Sequence, residues 1–232
     1  MRRRSVELTA VAVFAAILVV ASGSAQAAPP EREWREVFSA DGTITRMHLP
    51  KDAATARIST QNLTAAAAVS ASVVAIQNTG PSNARFDLVI VGDGYTASQM
   101  GTLHQHAEAM WNSIAATDPW GKYRGSINVW LVEVISNQSG VDNDPTQGIN
   151  RDTALDMYFW CDGIERLLCL NEAKAQQYAN LAPGVDAIVA VGNSTKYGGA
   201  GYPSLATAAG GNDRAGRIVL HELGHSVGGL AD

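Results

Sequence analysis

The chain has 232 residues, of which 46% are hydrophobic and 17% are charged, and its formal net charge is -5. This composition excludes a disordered or fibrous protein and provides enough apolar side chains for the core of one large or two small domains. The negative charge also argues against nucleic acid or an anionic membrane as the main partner, because both attract basic surfaces.

The N-terminus has the three parts of a secretory signal peptide. Arginines at positions 2–4 precede an apolar run at residues 8–20, and the cleavage signature Ala-Gln-Ala ends at Ala27. An uncleaved membrane anchor is the alternative, but the run is shorter than the roughly 20 residues of a spanning helix. We predict a signal peptide at residues 1–27 and a secreted or periplasmic protein with no membrane segment in its mature form.

Residues 28–82 carry the weakest structural signals. Asp41 and Gly42 are turn residues that indicate one hairpin, and a low-complexity segment rich in alanine follows. We assign this region to a leader or small accessory unit ahead of the main domain at residues 83–232.

The main domain shows alternating strand and helix patterns. Its strands are continuous apolar runs, as expected for strands buried on both faces of a sheet. The order strand, helix, strand, helix, strand predicts an α/β sheet with parallel pairs. The predicted strands lie at residues 88–91, 127–135 and 185–194, and the predicted helices at residues 97–116, 172–182 and 214–227.

Two cysteines, Cys161 and Cys169, lie in the part predicted to be exported. In an oxidising compartment, a pair at this spacing is expected to close a disulfide around the sequence CDGIERLLC. The alternative is a catalytic thiol, which would require a histidine partner. Two cysteines are too few for a structural zinc site of their own.

The last predicted helix contains the sequence HELGH. Residues four apart lie on one face of a helix, so His221 and His225 can bind one metal ion. Glu222 stands where zinc peptidases of the H-E-x-x-H type place the carboxylate that moves a proton. A solvent-facing helix that carries two histidines by chance is the alternative. The pattern predicts a Zn²⁺ site with Glu222 as the catalytic residue.

A catalytic zinc ion needs a third protein ligand and an open position for water. The metzincin pattern places that ligand at Ala231, whereas the nearest carboxylate is at Asp232. An extra glycine, Gly229, could absorb the one-residue shift in the turn back to the metal. We predict Asp232 as the third ligand; the alternative is a ligand beyond it in the chain.

Four segments occur in a specific order and spacing: FDLVIVGDGYT, CDGIERLLC, VGNSTKYGGAGY and HELGHSVGGLAD. With this combination, residues 85–232 resemble the IgA-peptidase family of secreted bacterial zinc metallopeptidases. The resemblance implies a zincin-like architecture, with a mixed, mainly parallel sheet, flanking helices and an active-site helix. In that family the last motif continues into a C-terminal subdomain, so residues 83–232 would be a catalytic domain whose C-terminal part is missing.

The resemblance also suggests how substrate binds. In zinc proteases of this build, an edge strand above the active-site helix pairs with the extended substrate backbone. The glycine-rich segment at residues 197–207 is the candidate, with Tyr197, Gly198 and Gly199 as substrate-binding residues. A plain surface loop is the alternative.

These features together predict a secreted zinc endopeptidase with a protein or peptide substrate. A non-catalytic exported peptide-binding protein, or an inactive fragment of such a peptidase, is the alternative.

Asp93, at the end of the first predicted strand, could bind a metal or phosphate, although a structural turn is favoured. His104 and His106 lie two apart on a helix, so we expect surface residues rather than a metal pair.

Overall fold

The computed structural model describes residues 32–38, 43–50 and 71–230. The predicted signal peptide, with its cleavage position at Ala27, and the predicted zinc ligand Asp232 lie outside these residues. No helix in the described ranges is long and apolar enough to span a membrane.

A two-stranded hairpin precedes the main domain. Strand β1 (Arg32–Phe38) pairs antiparallel with strand β2 (Ile44–Pro50). The hairpin predicted around Asp41 and Gly42 is therefore confirmed, although its turn lies outside the described residues.

The main domain is built on one mixed sheet. Within the described residues, its strands are β3 (Ala71–Gln77), β4 (Phe86–Asp93), β5 (Ile127–Val134), β6 (Ala187–Gly192), β7 (Gly199–Gly201) and β8 (Leu205–Ala209). Their order is β3-β5-β4-β6-β8-β7. The four inner strands are parallel, and the edge strands β3 and β7 are antiparallel to their neighbours. The predicted α/β class with a mainly parallel sheet is confirmed.

Both faces of the sheet are covered, which explains the continuous apolar runs. The helices are α1 (Met100–Ala115), α2 (Trp120–Tyr123), α3 (Glu172–Ala179) and α4 (Ala215–Ser226). Leu88 and Ile90 of β4 pack in the core that contains α1 and α4, whereas Val89 and Val91 pack in the core that contains α3. Each such fully buried side chain stabilises the fold by roughly 1.5–3 kcal/mol.

The sheet begins earlier than the sequence indicated. β3 comes from residues that we assigned to the accessory region, yet it pairs antiparallel with β5. The Gln77 side chain extends this edge by donating to the Ile127 carbonyl at 2.8 Å. The main domain therefore includes Ala71 and does not start at residue 83.

The glycine-rich segment at residues 197–207 forms two strands rather than one. β8 is buried along its length and runs parallel to β6, and β7 returns beside it as the edge of the sheet. β1 lies beside β7 but belongs to the separate two-stranded sheet. An edge strand is thus present where the sequence placed one, but it is only three residues long.

Asp93, at the carboxyl end of β4, is a structural anchor. Its fully buried carboxylate accepts hydrogen bonds from the hydroxyls of Ser136 and Thr153 and from the backbone N–H groups of Leu155 and Met157, at 2.8–3.3 Å. Burial raises the pKa of Asp93, and the four donors oppose this shift because they favour the charged carboxylate. These bonds tie the long loop after β5 to the end of β4, which agrees with the structural interpretation.

Replacing this carboxylate tests its anchoring role. In Asp93→Asn, an amide NH₂ would face two of the four donors, which leaves buried groups unsatisfied. We expect the free energy of unfolding to fall by about 2–4 kcal/mol and the Tm by about 5–15 °C. Thermal unfolding followed by circular dichroism measures this change. Asp213→Asn, at an exposed aspartate, is the matched control; equal shifts in both variants would contradict the prediction.

Candidate metal centre

Helix α4 lies on the sheet through one apolar face. Ala215, Val219 and Leu223 follow helical spacing and are buried in the core that α4 shares with α1. Because these contacts fix the rotation of the helix, His221 and His225 lie together on a partly exposed face. The predicted helix is thus confirmed, with both histidines on one side.

The two imidazole rings converge on one point. The Nε2 atoms of His221 and His225 lie 2.9 Å apart, and the ring centroids are separated by 4.6 Å. Two nitrogen ligands of one tetrahedral zinc ion lie about 3.3 Å apart, given Zn–N distances of about 2.0–2.1 Å. The histidine pair therefore has close to the separation that a shared zinc ion requires.

The orientation of His225 is set by the chain after α4. Its Nδ1 lies 2.7 Å from the carbonyl oxygen of Leu230. A carbonyl only accepts hydrogen bonds, so Nδ1 carries a proton, and Nε2 is the ring nitrogen available to a metal ion. Gly229, with a φ of +61°, reverses the chain so that Leu230 returns over the helix end. In metal sites, a carbonyl that accepts from one ring nitrogen holds the histidine so that the other nitrogen faces the metal ion.

The Glu222 side chain, one residue after His221 in α4, reaches the edge strand β7. It is buried, and its carboxylate lies against Gly201, the last residue of β7. The predicted catalytic carboxylate therefore lies between α4 and the edge strand β7. An extended chain bound along β7 would pass close to it.

In part of the predicted substrate-binding strand, the backbone already pairs with another segment of the same chain. The Gly199 N–H donates to the Arg166 carbonyl at 3.2 Å, and the Leu168 N–H donates to the Gly199 carbonyl at 3.4 Å. Gly198 is buried and its carbonyl accepts from β8, while Tyr197 is partly exposed ahead of the strand. Gly198 and Gly199 therefore lie inward of the edge that the sequence assigned to substrate, because residues 166–168 fill that position.

The predicted disulfide is confirmed. Cys161 and Cys169 are bonded to each other, and both are buried. The loop that they close contains residues 166–168, which pair with Gly199. The disulfide thus holds the segment that covers the outer side of β7 at that residue.

Comparison with known proteins assigns the family. Residues 74–232, more than half of the chain, match the sequence model of the family described as IgA Peptidase M64. The chain belongs to the IgA peptidase M64 family. No curated protein gives a significant match to the chain. Membership in this peptidase family indicates a protein or peptide substrate and confirms the resemblance seen in the sequence.

In this M64 chain, the described residues bring two histidine nitrogens together as candidate metal ligands. No group of three or more histidine, cysteine, aspartate or glutamate side chains with metal-binding geometry occurs in the described ranges. Two imidazoles, one of them with its Nδ1 proton fixed by a carbonyl, are nonetheless a donor set that suits zinc. Asp232 stays a prediction, since it lies outside the described residues, shortly after Leu230.

The two histidines of α1 differ from expectation. The Nδ1 atom of His106 lies 2.8 Å from the Tyr95 hydroxyl, and the ring is partly buried rather than on the open surface. Burial lowers the pKa of His106. His104 has a partly exposed side chain 3.9 Å from Glu108. His106 therefore packs against the core through Tyr95, a contact between α1 and the end of β4 that helical spacing does not reveal.

Two features of the centre were not predicted from the sequence. The Leu230 carbonyl is a backbone group, and no residue type signals its hydrogen bond to His225. Gly201 was one of several glycines in a permissive segment, and nothing in its neighbours singles it out. The only available signal was the glycine-rich composition of residues 198–201.

Proposed function

We propose that this M64 protein is an exported zinc-dependent endopeptidase. His221 and His225 hold the metal ion, Asp232 completes the protein ligands, and Glu222 acts as general base and then general acid. The observation that carries the proposal is the convergence of two imidazole Nε2 atoms to 2.9 Å, on a helix in which the residue after His221 is the buried Glu222.

The chemistry divides between the metal and Glu222. When bound, zinc supplies a Lewis acid that polarises the scissile carbonyl and lowers the pKa of the attacking water. Glu222 takes the proton of that water and passes it to the leaving amine, so that the peptide bond is cleaved without a covalent enzyme intermediate. The Leu230 carbonyl keeps His225 in the tautomer whose Nε2 can act as a ligand.

Substrate binding is proposed along β7. Residues two apart in a strand direct their N–H and C=O groups to the same side. Since those of Gly199 point away from β8 to residues 166–168, those of Gly201 also point away from β8. An extended peptide pairing at Gly201 would follow residues 166–168 along the strand and place its backbone next to Glu222.

Export is proposed from the sequence and is consistent with the disulfide. The N-terminus has the organisation of a cleaved signal peptide, with Ala28 as the first mature residue. A disulfide between Cys161 and Cys169 persists in oxidising compartments and is rare in the cytosol.

Metal removal tests the proposed activity. We expect protein that begins at Ala28, recovered from outside the cytoplasm, to cleave a general protein substrate such as casein. Treatment with 1,10-phenanthroline should reduce cleavage to background, because the Lewis acid is lost, and added Zn²⁺ should restore it. The isomer 1,7-phenanthroline, which does not chelate, is the control for non-specific inhibition.

Three outcomes would contradict parts of the proposal. Cleavage that persists in the chelator would exclude the zinc mechanism. Binding of extended peptides without cleavage, at full zinc loading, would support the alternative of a non-catalytic peptide-binding protein. Protein found only in the cytoplasm with its N-terminus intact would exclude export.

A further inference from the structure

One glycine of the edge strand is in direct contact with the proposed general base. A methyl group on Gly201 would overlap Oε2 of Glu222 and would lie 2.5 Å from its Cδ and 3.1 Å from its Oε1. Every heavy atom of the carboxylate group is thus close to this one position. The carboxylate therefore rests on the Cα of Gly201, in the space that a side chain would fill.

Backbone conformation does not explain this glycine. Its φ lies outside the left-handed region, so an alanine could adopt the same backbone angles. The neighbouring glycines have a different reason for lacking a side chain. A methyl group on Gly199 would lie 2.5 Å from the Thr207 carbonyl oxygen, and one on Gly198 would overlap the Arg166 carbonyl oxygen. At those two positions the nearest atom is a backbone oxygen, whereas at Gly201 the three nearest atoms all belong to the end of the Glu222 side chain.

A side chain at position 201 would therefore move Glu222 rather than the strand. The glutamate has rotatable bonds and can swing its carboxylate aside, while β7 is held by its pairing with β8. Metal binding is expected to be retained, because the positions of His221 and His225 are set by α4 and by the turn at Leu230.

We propose that Gly201 is a positioning residue for Glu222. Because Gly201 has no side chain, the carboxylate can lie against the strand proposed to pair with substrate. Glu222 is then close enough to the scissile peptide bond to transfer a proton to the leaving amine. This inference depends on the proposed function of Glu222. It adds that the geometry of the base is set by the edge strand as well as by α4.

Alanine at this position is the direct test. We expect Gly201→Ala to lower kcat by about 10- to 10²-fold, because displacement of a catalytic group by about 1 Å has an effect of this size. Zinc stoichiometry, zinc affinity and Tm should remain close to wild type. Gly101→Ala is the matched control, because a methyl group there meets nothing within 4 Å, and its kcat should be unchanged.

A double variant separates positioning from a general structural effect. If Gly201 acts only through the Glu222 carboxylate, adding Gly201→Ala to Glu222→Gln should not reduce the residual rate further. Gln has the same size as Glu, so a purely steric effect on the fold would still appear in the double variant.

The outcomes distinguish the two proposals. Wild-type kcat in Gly201→Ala, with Glu222→Gln inactive, would overturn the positioning role and leave the function of Glu222 intact. Loss of zinc or of cooperative unfolding in Gly201→Ala, or a further decrease in the double variant, would also overturn it. Full activity of Glu222→Gln would instead overturn the proposed function itself.

Discussion

Glu222→Gln is expected to lower kcat by about 10²- to 10⁴-fold while zinc remains bound. The amide has the shape of the carboxylate and fits the same space against Gly201, but it cannot accept a proton at the pH of the assay. Because His221 and His225 are unchanged, metal content should stay at the wild-type value. Steady-state cleavage of a peptide substrate, with zinc measured on the same preparation, checks both halves of this expectation.

The control for Glu222→Gln is the same change at an exposed position. Glu108 lies on the surface of α1, so Glu108→Gln removes one negative charge without approaching the centre and should keep wild-type kcat. Near-wild-type turnover in Glu222→Gln would show that another group moves the proton. Loss of zinc in that variant would show that Glu222 supports the metal site rather than the chemistry.

Short-range patterns in the sequence predicted strand β4, helix α4 and the disulfide. The apolar run of β4 is continuous because Leu88 and Val89 face two different cores, and such a run is readable from the residues alone. Helix α4 was predicted from its spacing, and the pairing of its two histidines follows from the helical repeat. The disulfide also followed from composition and spacing.

Contacts between distant segments were not predictable in this way. β3 was missed because it directly follows an alanine-rich segment that resembles a low-complexity region, and only its pairing with β5 defines it. β8 was missed because its alanines become buried only between β6 and β7. The covering of Gly199 by residues 166–168 joins segments about thirty residues apart, and neither segment indicates the other.

The segment predicted to bind substrate shows how such contacts affect the choice of site residues. Sequence reasoning selected Tyr197, Gly198 and Gly199 because glycine permits close approach of another backbone. The structure shows that the approaching backbone at Gly199 is the disulfide-closed loop of the same chain. The position next to Glu222 is Gly201, so the relevant glycine is identified by its contact with the carboxylate rather than by residue type.

His225→Ala is expected to lower zinc affinity by more than about 10²-fold, which is the upper range for loss of a group that only hydrogen-bonds to a metal ligand. The variant removes one of two described ligand nitrogens and also the ring that the Leu230 carbonyl orients. Peptidase activity should fall with zinc occupancy, and part of it should return at high Zn²⁺ concentration because Glu222 and His221 are still present. Zinc titration with a competing chromophoric chelator, together with activity at each zinc concentration, measures the effect.

His104→Ala is the control for His225→Ala, because His104 is a partly exposed histidine on α1 and its removal should leave zinc affinity unchanged. Measurements of Tm should also show whether His225 stabilises the fold itself or only binds zinc. In the absence of zinc, both variants should unfold near the wild-type temperature, since His225 is partly exposed and fills no core position. With zinc, only wild type and His104→Ala should be stabilised at low metal concentration, because a ligand stabilises the folded state by RT ln(1 + [L]/Kd), which is negligible when its concentration is far below Kd. Equal stabilisation of His225→Ala by the same zinc concentration would mean that His225 is not a ligand.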